Sequence, residues 1–150
     1  MEKNLRYFMR EEKEEVVTVP APDNFVDEKG NRLEMQVKTL PRARIDAIFE
    51  SYRKREIALD KKGNPYTQGG NVLCKINNDT DKAFRHIIAE ALVSPNLADP
   101  ELMEFYKCYD KVEMVRKVFS KREEYDQVWT SVMTVLGLIQ GEDEVEEAKN

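Results

Sequence analysis

Apolar residues recur along this chain at two spacings. Steps of three and four residues dominate from residue 41 onward, while steps of two appear near the start. The longest helical pattern runs from Ser120 to Leu138, where Tyr125, Val128, Trp129, Val132, Met133 and Leu136 form one stripe. Val135 and Leu138 widen it beyond a coiled-coil seam, so it predicts a helix packed into a core, with Trp129 as anchor. Ser120-Lys121-Arg122-Glu123 reads as a capping box at its start. A helix over 111–119 presents Val112, Val115, Val118 and Phe119. Before it, Asp99 suits an N-cap and Pro100 a first helical position, with Leu102, Met103, Phe105 and Tyr106 supplying apolar surface. Asn78-Asp79-Thr80 offers N-cap oxygens to a helix over 80–93 carrying Ala83, Phe84, Ile87, Ile88 and Ala91. Pro41 opens a further helix through Ile45, Ile48, Phe49 and Tyr52. Leu59 extends it, and it ends near Asp60, where Lys61 to Pro65 read as a turn.

Two-residue alternation marks Leu33, Met35 and Val37 against Glu34, Gln36 and Lys38. The residues Asp27-Glu28-Lys29-Gly30-Asn31 suit a hairpin loop joining this strand to Phe25-Val26. Such a hairpin must lean on a helix or a third strand. Val16 to Val19 is β-branched and suits a short strand broken by Pro20 and Pro22. Gly69-Gly70 gives mobility to residues 60–78, expected as a partly ordered loop with a short strand near Val72–Ile76. At the start, Leu5, Phe8 and Met9 share one face of a short helix over 3–13, which docks onto the body or waits for a partner. The expected architecture is α+β, mainly α: a compact helical domain of four to five helices with an N-terminal β-hairpin. It divides into a flexible N-terminal segment 1–22 with a short amphipathic helix, a globular domain 23–138 and a disordered acidic tail 139–150.

Charge sharpens this division. The net charge of the chain is −5, and Glu142, Asp143, Glu144, Glu146 and Glu147 against Lys149 put −4 of it in the tail. The remainder carries no basic footprint for nucleic acid. Arg42, Arg44, Arg53, Lys54 and Arg55 read as a solvated face. No apolar run is long enough to span a membrane, and the N-terminus lacks an apolar signal region. Cys74 and Cys108 lack CxxC spacing and are expected as buried thiols, and the single histidine, His86, has no visible partner for acid–base work. With no nucleophile–base set, phosphate loop or metal spacing, no catalytic, cofactor-binding or metal-ligating residue is expected, and the chain does not read as an enzyme. Binding remains. Candidate partner contacts are Leu5, Phe8 and Met9 at the start and Val145 in the acidic end.

The order of these parts resembles the XkdN-like family of phage tail assembly chaperones, found in long-tailed phages and prophages of Gram-positive bacteria. The resemblance rests on the loop Asp27 to Asn31, the helix after Pro41, and Leu92-Val93-Ser94-Pro95-Asn96-Leu97 followed by Asp99-Pro100-Glu101-Leu102. It continues through Glu123-Glu124-Tyr125 to Val145-Glu146-Glu147-Ala148-Lys149-Asn150, covering most of the chain from about residue 23. It implies a cytoplasmic protein of the bacterial host, absent from the mature virion, that holds the tape measure protein until the tail tube closes. It is compatible with a homo-oligomer, and it implies no covalent chemistry, membrane or nucleic acid. Such chaperones are often also made as a longer −1 frameshift product, expected here to recruit tail tube protein. The slip heptamer A AAA AAC encodes Ala-Lys-Asn after GC, matching Ala148, Lys149 and Asn150. Two other readings stay open: a structural tail or connector protein retained in the virion, and a regulatory or inhibitor protein binding a host factor.

Overall fold

The computed structural model describes residues 4–140. A single 3-10 turn, Leu5–Phe8, comes first, followed by strands β1 (Val16–Pro20) and β2 (Glu34–Lys38) and helix α1 (Arg42–Ser51). Four strands come next: β3 (Arg53–Ile57), β4 (Thr67–Gln68), β5 (Asn71–Val72) and β6 (Cys74–Asn78). Helix α2 (Thr80–Ala91) runs directly into β7 (Leu92–Ser94), and α3 (Pro100–Tyr106), α4 (Lys111–Val118) and α5 (Arg122–Val135) complete the order. This is a mixed α+β fold.

Helix α2 sits at the centre. Asp79 caps it by accepting from the Lys82 N–H, and Ala83, Ile87, Ile88 and Ala91 are fully buried along one face. That face packs against α1, α4 and α5, which contribute Ile45 and Ile48, Met114 and Val115, and Val128, Val132 and Met133. The sheet has the order β1-β2-β7, both pairs antiparallel. Met35 and Val37 of central β2 enter the core while Glu34 and Gln36 face water, as the alternation demands. Truncating Ile45, Ile48, Ile87, Ile88, Met114 or Met133 to alanine removes roughly 2–5 kcal/mol.

Several expectations are corrected. The partner of β2 is Val16–Pro20, not Phe25-Val26. Phe25 and Val26 meet the other arm only through the Leu33 N–H to Phe25 carbonyl bond and a bridge to Arg32. The sheet therefore reaches back into the 1–22 segment set apart as flexible. The expected 3–13 helix shrinks to Leu5–Phe8, with nothing buried, because a short helix without a packed face lacks the tertiary support it needs. Helix α1 stops at Ser51, since Arg53–Ile57 leaves it to pair with Cys74–Asn78. Residues 60–78 are thus drawn into a β-arm, in which the short strand expected near Val72–Ile76 is found as β6, Cys74–Asn78. The expected capping box is reduced to a single bond one residue later: Lys121 is the N-cap, its ammonium can accept nothing, and the carboxylate of buried Glu124 accepts its N–H at 3.0 Å. Neither cysteine is fully buried: Cys74 is exposed and Cys108 half-buried. Trp129 is half-buried at the rim, its ring edge-on to Phe84 at 5.5 Å, and Val128, Val132 and Met133 fill the centre of the core instead.

Candidate interaction surfaces

Three surfaces stand apart from the core. The first is the N-terminal turn. Leu5, Phe8 and Met9 are 53%, 81% and 74% exposed, and none of them packs on the core. Tyr7 beside them is also exposed, its ring under the Arg6 guanidinium at 4.9 Å. The sequence grouped Leu5, Phe8 and Met9 correctly as apolar, and the structure leaves all three in water. Val145, Ala148, Lys149 and Asn150 lie outside the described residues.

The second surface is an open groove of about 1350 Å³ between β1 and α5. Val17 and Val19 form one wall, Thr130, Ser131 and Thr134 the other, and Ile139 lies at one end. Residues 21–32 brace it. Gln127 Oε1 accepts the Asp23 N–H at 3.1 Å, and Asn24 donates to Glu124 at 3.3 Å. Arg32 donates to the Ala21 carbonyl at 2.6 Å and pairs with Asp23 at 2.9 Å. The walls are small, mixed in polarity and open to water, which suits an extended or helical polypeptide better than an enclosed small molecule.

The third surface is the β-arm, residues 53–78. Every residue of it lies outside the core, yet it carries Ile57, Leu59, Tyr66, Val72, Leu73 and Ile76 at 41–55% exposure. Arg53, Lys54, Arg55, Lys61, Lys62 and Lys75 against Glu56 and Asp60 give it a net charge of +4 within a chain of −5. The sequence reading assigned Arg53, Lys54 and Arg55 to a solvated helix face and missed the arm. The available signal was the concentration of base and apolar residues in one short stretch.

The described residues also hold one titratable relay. The Tyr52 hydroxyl lies 2.7 Å from His86 Nδ1, and Glu90 accepts two bonds from Arg44 at 2.7 and 2.6 Å. Glu90 lies 3.9 Å from His86 Nε2. Burial lowers the His86 pKa, an effect that the nearby Glu90 carboxylate opposes. The Arg44 hydrogen bond holds Glu90 below the usual carboxylate range, and burial raises Tyr52. A raised phenol beside a neutral imidazole is a poor nucleophile, and the four residues sit on neighbouring helices. The arrangement ties the end of α1 to α2. It supplies the partners that sequence inspection did not find for His86. Among the described residues, no group of three or more His, Cys, Asp or Glu side chains is arranged to hold a metal. No described helix is long and apolar enough to cross a membrane.

The chain is 30% identical over 137 residues to the phage-like element PBSX protein XkdN of Bacillus subtilis (strain 168), covering 91% of this chain and 85% of that protein. It is 29% identical over 136 residues to the uncharacterized protein YqbN of the same strain, covering 89% and 83%. The crystal structure of YqbN superposes with a TM-score of 0.64 over 91% of this chain and 98% of that one, at 23% identity, so the fold is shared. The model of the phage XkdN-like tail assembly chaperone family matches residues 5–149. With the family pattern running through nearly the whole chain and a relative at 30% identity beside it, the protein belongs to the XkdN-like tail assembly chaperones of phage.

Proposed function

We propose that this chaperone binds the tape measure protein in the host cytoplasm and shields it until tail tube subunits displace it. The observation that carries the reading is the apolar surface left outside the core at Leu5, Phe8 and Met9. A long helical polypeptide with much exposed apolar surface aggregates unless covered. Covering it requires apolar side chains that the chaperone's own core does not use. The open groove beside α5 adds a slot for a polypeptide segment. On this reading the protein performs no covalent chemistry and leaves before the virion is complete.

The test is coexpression with the tape measure protein, followed by pull-down with the full chain and with a chain cut after Leu138. Soluble tape measure protein that copurifies with the full chain is the expected result. Insoluble tape measure protein in the presence of the full chain overturns the reading. Mass spectrometry of purified particles separates it from a structural tail protein, which would be found there. We also propose that the codons of Ala148, Lys149 and Asn150 form the slip site of a longer product that recruits tail tube protein. Codons GCT-AAG-AAT in the gene would sink that part.

A further inference from the structure

Burial fades across the inner face of the sheet. Leu92 of β7 and Met35 and Val37 of β2 are buried there. Val19 and Val17 of β1 lie opposite Met35 and Val37, and residues directly opposite in a sheet share one face. Yet Val19 is only half-buried, and Val17 is 38% exposed. Helix α5 packs over β2, and the groove opens where β1 is left uncovered. A strand added in the plane of the sheet would leave these inner faces bare. A helix lying over β1 would cover them and extend the helical layer that backs the sheet.

The α5 wall accepts such a neighbour. It runs from Asp126 to Val135, about 14 Å or two and a half turns. Thr130, Ser131 and Thr134 are small enough to let two helix axes approach to about 8 Å. Thr134 donates its hydroxyl to the Thr130 carbonyl at 2.7 Å, so that hydroxyl is satisfied within α5.

Charge and burial select the occupant. Asp23 and Asp126 line the groove against Arg32, and the chain enters β1 through Glu11-Glu12-Lys13-Glu14-Glu15, net −3. The acidic residues of this chain beyond Gln140, from Glu142 to Glu147, carry the same sign and are repelled. A second copy does not supply the helix either, because α1, α2, α4 and α5 turn their apolar faces into their own core. The occupant is a helix of another protein, with basic residues beside its apolar stripe.

We propose that the groove seats an amphipathic helix of the client, beside α5 and over β1. Its apolar side chains, spaced i, i+3, i+4 and i+7, meet Val17, Val19, Val135 and Ile139, and its basic flanks meet Asp126 and the acidic run before β1. This inference rests on the reading of the protein as a chaperone of tape measure protein, and it names the kind of segment held.

Fluorescence anisotropy with the full chain tests it. The probe is a labelled peptide of about 14 residues, short enough to be marginally helical alone. It carries Leu at the stated spacings and Lys and Ala elsewhere, and a control peptide carries Glu in place of Lys. The Lys peptide should bind and gain helical circular dichroism signal, and the Glu peptide should bind at least about tenfold more weakly. T134W fills the groove from an exposed position and should weaken the Lys peptide at least about tenfold. D126K, also at an exposed position, should weaken it chiefly at low salt. Thermal melts should show both variants folded. The proposal is overturned if the Lys peptide does not bind, binds without gaining helix, binds no better than the Glu peptide, or binds T134W as it binds the unaltered chain. Coexpression of T134W with tape measure protein separates this inference from the reading beneath it. Tape measure protein kept soluble by both chains overturns the groove as its seat and leaves the chaperone reading standing. Tape measure protein left insoluble by the unaltered chain overturns the chaperone reading itself.

Discussion

At the scale of single residues, the relay from Tyr52 through His86 and Glu90 to Arg44 couples the α1–α2 contact to pH. His86 has its folded pKa lowered from 6.5, chiefly by burial. The unfolded chain therefore binds the His86 proton more readily, and stability falls as pH drops from above 6.5 through the lowered folded value. Glu90 is lowered from 4.5, chiefly by its Arg44 hydrogen bond, so its contribution is present above 4.5 and is lost on further acidification. The chain contains one histidine, which isolates the first window. Urea midpoints should fall on moving from pH 7 toward pH 5.5. H86Q, which can still accept the Tyr52 hydroxyl bond, should flatten that window while leaving the later loss intact. An unchanged slope in H86Q would count against the assignment. No local pattern reveals this relay, because its halves lie 34 residues apart in sequence. The Glu124 cap was nearly legible, since an acidic residue near Ser120 was expected to turn back on the helix start. The register shifted because Lys121, not Ser120, takes the extended N-cap conformation.

At the scale of elements, legibility followed burial. Helices α2, α4 and α5 announce themselves because each buries one broad apolar face and leaves the other wet, which writes a 3.6-residue period into the sequence. Strand β2 is legible for the corresponding reason at period two. The strands of the arm are exposed along both faces, so neither face imposes a pattern, and Arg53-Lys54-Arg55-Glu56 reads as helical surface. β7 was hidden because Leu92 continues the apolar row of α2 into the sheet, where it pairs with Val37. Exposure of the arm also predicts its independence. The Ala58 N–H to Leu73 carbonyl bond at 2.9 Å closes the ladder before the tip begins. Replacing residues 59–72 by an Asn-Gly turn should leave the thermal midpoint nearly unchanged, since no core residue is removed. Thermal melts followed by circular dichroism would check this. A large drop in midpoint would show that the tip supports the body.

At the scale of the whole molecule, the core draws on the sheet and five helices and leaves the two ends of the charge and hydropathy pattern unspent. Apolar side chains remain in water at the N-terminal turn, and basic and apolar residues share the arm. The proposed function calls for surface of this kind, because a client held on it would be bound by contacts that add nothing to the holder's own stability. That separation can be measured. The variant L5A/F8A/M9A removes three exposed apolar side chains, none of them packed on the core. Each substitution should therefore change unfolding free energy by no more than about 0.5 kcal/mol. The same variant should lose most of its ability to keep tape measure protein soluble on coexpression, because several exposed large apolar groups vanish at once from the surface proposed to carry the contact. Urea unfolding and the soluble fraction of tape measure protein, read on the same variant, decide the matter together. Unchanged stability with lost solubility places client binding at the N-terminal turn. Unchanged stability with full solubility moves the contact elsewhere, and the groove between β1 and α5 is then the next surface to alter. Lost stability would mean that the turn docks on the body after all, which its exposure argues against.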